Sequence, residues 1–239
     1  MSTRSGKKHL RYPNLNFKIS FFQDLFTIIE ELTGDCPGVG LPNNFHIDKE
    51  SYILFKELQK RYDLTKNFIT NFKKINQIDE WVEIKKIIRD YKGYWNKEKI
   101  KIQNSINYLN KVVDFEWFLQ KLEEITLTKW ETKDLDVFFT VGYKNSGTYD
   151  REINVIRVGI HEGVEKYLVY TLYHELIHYH IVKHMKLKLS EGEEEILCRA
   201  IFKLVFEKDL IAQKHWQENL SIEEIKKINK KSEEVQYSL

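Results

Sequence analysis

Cysteine, proline and long apolar runs are all scarce in this chain. Only Cys36 and Cys198 occur in 239 residues. Two thiols so far apart make no disulfide framework, and both read as reduced. All three prolines, Pro13, Pro37 and Pro42, fall in the first 42 residues. With Gly34, Gly38 and Gly40 they make residues 33–42 a loop. The longest nearly apolar run, residues 167–173, falls far short of the roughly 20 residues that span a bilayer. The basic, polar start of the chain lacks the apolar core of a secretory signal. No membrane partner and a cytoplasmic location are therefore expected. An excess of charge is missing too: 38 Lys and Arg face 36 Asp and Glu, for a net charge of +2. That balance argues against a dedicated nucleic-acid binder. What is present is apolar surface, 42% hydrophobic and 13% aromatic residues, enough to offset the entropy of ordering the chain.

From residue 43 to 141 there is no proline and one glycine, Gly93, so long helices fit best. Apolar residues recur there at helical spacing. Phe21, Leu25, Ile28, Ile29 and Leu32 form one stripe, and Tyr52, Leu54, Phe55 and Leu58 begin another. Ile69, Phe72 and Ile75, then Trp81, Ile84, Ile87 and Ile88, continue the pattern. Ile100, Ile102, Ile106, Leu109 and Val113, then Phe118, Leu119 and Leu122, complete it as core faces with lysine-rich outer sides. After Trp130 the character changes. Residues 136–143 and 153–160 are β-rich, and residues 144–148 between them have turn composition, which predicts a hairpin. Helical patterns resume over residues 164–185, 191–206 and 221–231. The fold class is therefore α+β, with an N-terminal helical region over residues 1–128 and a smaller mixed domain over 129–239.

Four of the eight histidines fall in residues 174–184, and two of them frame His174-Glu175-Leu176-Ile177-His178. This run resembles the HExxH zinc metallopeptidases. Histidines one helical turn apart project from one face and can share a tetrahedral ion. Glu175, about 100° further round the helix, is placed to act on a water instead of the metal, as a general base. On the same wheel His178 lies beside Tyr167, Ile181 and Met185, whereas His180 and His184 fall with Lys166 on the side expected to face water.

A catalytic zinc keeps three protein ligands and one open position, so a third donor is required. Ser190-Glu191-Gly192-Glu193 has the pattern of a capping box and predicts a helix from about Glu191 that returns against the first. Leu197, Cys198, Ile201, Leu204 and Val205 mark its buried side, and Glu194 falls on that side. A buried carboxylate needs a partner, so Glu194 is the candidate third ligand, with Glu195 as the alternative. An acidic first turn favoured by the helix dipole is the plainer explanation of the same glutamates.

A histidine pair on one helix and a glutamate on the next resembles the gluzincin clan, in particular its minimal members and the ImmA/IrrE-like proteins, over residues 135–206. The resemblance implies a zincin-like domain of short β-sheet, active-site helix and glutamate helix, with Zn2+ as cofactor. It also implies that the strand at 153–160 binds an extended peptide or protein substrate by adding it to the sheet edge. Two departures stand out: Glu194 is followed by Leu197 and Cys198 where gluzincins commonly place a small residue and then an acid or amide. There is no Cys-x-x-Cys, and no glycine turn followed by a third histidine at the spacing of metzincins.

The implied activity is peptide-bond hydrolysis with Glu175 as base. Tyr143, Tyr149, His161 and His215 are candidate donors to the oxyanion. The helical region then serves as a recognition module or as a prosegment over the cleft, and Cys36 as a small residue of the 33–42 loop. Two other readings stay open: a catalytically silent zincin-like binding protein, and a regulatory protease with a single repressor-like target.

Overall fold

The computed structural model describes residues 14–21, 23–25, 27, 53, 82–141, 146–151, 154–160, 165–209, 213 and 220–237. The architecture is α+β. Its elements run β1 (Asn14–Ile19), α1 (Val82–Val112), α2 (Phe115–Thr126), β2 (Asp134–Thr140), β3 (Gly147–Asp150), β4 (Val155–Gly159), α3 (Glu165–Lys183), α4 (Glu191–Val205) and α5 (Ile222–Tyr237). The expected loop at 33–42 and the stripes between residues 28 and 81, apart from the short piece at Ile53, lie outside the described residues.

The four strands form one mixed sheet in the order β1-β2-β4-β3. The predicted hairpin is corrected here. β2 and β4 are parallel neighbours, with Val137 beside Ile156 and Thr140 beside Gly159. The antiparallel partner of β4 is β3, with Gly147 opposite Val158 and Asp150 opposite Val155. Part of the segment with turn composition is thus the start of β3, and the reversal falls beyond it, where Asn154 adopts the left-handed conformation at φ 56°. All five residues of β4 are buried, as befits a strand with a neighbour on each side. The implied edge role of residues 153–160 is therefore corrected as well: β3 stands at the end of the strand order.

β1 has no counterpart among the sequence expectations. Its alternation of Leu15, Phe17 and Ile19 with polar residues is the period of a strand. Ile100 is a third correction, since it is 61% exposed while Ile102 is fully buried. Residues two apart on a helix point about 200° apart and cannot share a stripe.

Two compact units divide the chain, and α3 runs through both. One comprises Met1–Asn16, Asp114–Asp136 and His180–Leu239. Its core forms where α2, through Phe118, Leu119, Leu122 and Ile125, packs against α4 and α5, and the exposed Trp117 meets Phe206 at 5.7 Å between ring centres. Asn229 ties α5 to the end of α2 by donating to the Thr126 carbonyl at 3.1 Å and the Thr128 hydroxyl at 2.9 Å. The predicted capping box is formed in full: Glu193 accepts from the Ser190 N–H at 2.9 Å, and Ser190 Oγ accepts from the Glu193 N–H at 3.4 Å.

The other unit comprises Phe17–Val113 and Val137–Tyr179. Phe21 packs edge-on against Trp95 at 5.4 Å and tilted against Tyr91 at 5.5 Å, while Phe17 meets Phe139 at 5.2 Å. Asp24 is buried and takes two short hydrogen bonds, from the Tyr91 hydroxyl at 2.5 Å and from the Val141 N–H at 2.6 Å. Burial foremost, and then Asp24, hold the Tyr91 phenol well above its ordinary pKa. No helix among the described residues is long and apolar enough to cross a membrane.

Candidate metal centre

α3 has to bury nearly its whole circumference, because Leu168, Leu172, Leu176, Ile177 and Ile181 are all sequestered although they lie around several sides of the helix. Within this apolar rod the HExxH residues are placed by turn geometry alone. His174 and His178 lie one turn apart, and their Nε2 atoms approach to 3.1 Å with the rings edge to face at 4.7 Å. Two imidazole nitrogens bound to one tetrahedral ion at about 2.0–2.1 Å stand roughly 3.3 Å apart. The pair is thus already set at the separation that a shared ion requires.

Glu175 is 4% exposed and packs against the start of β3. A Cβ on Gly147 would stand 2.7 Å from Glu175 Cγ, 2.9 Å from its Oε1 and 3.0 Å from the Arg157 carbonyl. Glycine is what allows β3 to run this close to the carboxylate. Tyr149, two residues along and so on the same face of β3, meets Tyr179 of α3 at 5.2 Å. Its hydroxyl donates to Asn154 Oδ1 at 3.0 Å, which engages the proton that an oxyanion would need. Tyr143, His161 and His215 lie outside the described residues.

On α4 the two candidate carboxylates differ. Glu194 is 3% exposed. Glu195 is half-buried and holds Arg199 Nε at 2.6 Å, one turn on. The donor atom that converges with the histidine pair belongs to a residue that the sequence marks only as buried. His174, His178 and Cys198 each offer one ligand atom, and these atoms all lie within 4.8 Å of one another. Cys198 is fully buried and carries a reduced thiol. The signal that could have found it is its position four residues after Glu194 on the same buried side. The chemistry of the set fits zinc, which takes imidazole and thiolate in four-coordinate sites.

His180 and His184 require a correction. Neither is solvated: His180 is completely buried and His184 half-buried. His180 stacks on Trp130 at 5.7 Å, and His184 lies tilted on the same ring at 4.8 Å. Trp130 closes the side of α3 that the helical wheel leaves open to water. The Thr126 hydroxyl donates to the Leu122 carbonyl at 2.8 Å. Its oxygen therefore accepts from His180 Nε2 at 3.0 Å, which fixes the neutral tautomer with the proton on Nε2. Nδ1 has no hydrogen-bond partner among the described residues. Burial drives the pKa of His180 well below 6.5, helped by His184. Burial also lowers that of His184, to about 4.

No protein-family model matches the chain, and no curated protein or solved structure does.

Proposed function

We propose that the chain is a zinc-dependent metallopeptidase of the HExxH type, hydrolysing peptide bonds, with a zincin-like succession of β4, α3 and α4. The observation that carries this reading is the convergence of His174 and His178 Nε2 at 3.1 Å, with a buried glutamate between them in sequence. His174 and His178 would hold the ion. α4 would supply the third donor, which the resemblance assigns to Glu194 with Glu195 as the alternative.

When bound, zinc acidifies a water and polarises a carbonyl oxygen. The remaining work falls to the chain. Glu175 accepts the proton that the attacking water releases and delivers it to the leaving amine as the C–N bond breaks. Its burial against Gly147 fixes the carboxylate on the side of α3 that faces the end strand of the sheet. An extended peptide added alongside β3 would bring its backbone to that carboxylate. This assigns substrate binding to β3, the end strand, in place of residues 153–160. The reduced thiol of Cys198 suits a cytoplasmic setting.

The test is Glu175→Gln on the full chain, assayed against a mixed peptide library with zinc content measured in parallel. The variant keeps its zinc and loses cleavage by about 10²–10⁴-fold. Cleavage at the wild-type rate by the variant refutes the assignment of the base.

A further inference from the structure

We propose that Cys198 is the third protein ligand, so that the centre is a two-histidine, one-thiolate site. This rests on the metal reading above and changes its donor set. The converging group is His174, His178 and Cys198, all within 4.8 Å. The two histidines are fixed by one helix turn, and Cys198 is fully buried on α4 one turn after Glu194.

A buried thiol on an apolar helix face is an inert core residue unless a cation draws off its proton. Imidazoles that ligate a metal are neutral, so in such a centre the charge that draws off the proton is the ion's own. The thiol gives up its proton to solvent as the sulfur–metal bond forms, and the dication becomes a singly charged centre. Thiolate in the donor set also restricts the metal. It selects soft or borderline ions such as zinc, cobalt or cadmium, and it selects against magnesium and calcium, which need oxygen ligands. A carboxylate third ligand would discriminate far less. The thiolate takes over the role that the resemblance gives to Glu194, from the position four residues later where the gluzincin pattern has an acid or amide.

The experiment is cobalt(II) reconstitution of the full chain, read by absorption. The wild type and Glu194→Gln both give the intense near-ultraviolet band of thiolate-to-cobalt charge transfer. Cys198→Ser loses the band and weakens cobalt binding by more than the roughly 10–100-fold typical of an outer-sphere change. Stoichiometric cobalt without the band overturns the thiolate ligand and leaves the metal reading standing. No stoichiometric cobalt in the wild type overturns both. If Cys198→Ser does not fold, X-ray absorption on zinc-loaded Cys36→Ser decides, because Cys198 is then the sole thiol. A sulfur shell at about 2.3 Å is expected, and a shell of nitrogen and oxygen alone refutes the proposal.

Discussion

Gly147 and Glu175 stand so close that any side chain at 147 must move the glutamate: a Cβ there would lie 2.7 Å from Glu175 Cγ. Gly147→Ala therefore displaces the carboxylate without touching a metal donor. Misplacing a catalytic group by about 1 Å can cost on the order of 10²-fold in rate. Peptide hydrolysis should fall by that order while zinc content stays at the wild-type level. Normal hydrolysis by the Gly147→Ala variant would show that Glu175 does not act from this position.

The bond from Tyr91 to Asp24 joins α1 to a carboxylate that also accepts from the backbone at the end of β2. Tyr91→Phe removes one of these hydrogen bonds from a buried carboxylate, which typically costs about 1–3 kcal/mol. Asp24→Ala should cost more, because it also strands the buried Val141 N–H. Urea denaturation monitored by fluorescence checks the order. Equal stability of the wild type and the Tyr91→Phe variant would remove Asp24 from the account of this unit.

His180 and His184 set a pH dependence whose sign is fixed by burial. Both pKa values lie below the ordinary 6.5 in the folded state. Between pH 6.5 and about 4 the unfolded chain therefore binds protons that the folded chain refuses. Stability should be at its full value above that window and decline as pH falls through it. For His180, fully buried, the slope approaches about 1.4 kcal/mol per pH unit. In metal-free protein, His180→Phe should flatten the decline while keeping the stack on Trp130. An unchanged slope would mean that other groups govern the acid limb.

The legible parts of this molecule are those governed by local chemistry. Ser190 and Glu193 form their capping box as the spacing requires, α4 falls where apolar periodicity places it, and α3 covers the expected residues although it is buried on nearly every side. A turn of helix suffices to bring His174 and His178 together. What the sequence conceals depends on distant partners. Whether β2 pairs with β3 or with β4 is decided by long-range register, and an alternating strand reads alike in either arrangement. His180 reads as solvated because a helical wheel assumes one open face, and Trp130, fifty residues upstream, fills it. Cys198 is hidden in another way. A small apolar-looking residue on a buried stripe carries no mark of ligation until its sulfur is seen beside two imidazoles.

The most direct measurement is metal content of the purified full chain, by mass spectrometry, for the wild type and for His174→Ala and His178→Ala. The account predicts one zinc per wild-type chain, and loss of it in each variant with the fold retained by circular dichroism. A wild-type chain that binds no zinc even when zinc is supplied, or alanine variants that hold it as well, would contradict it.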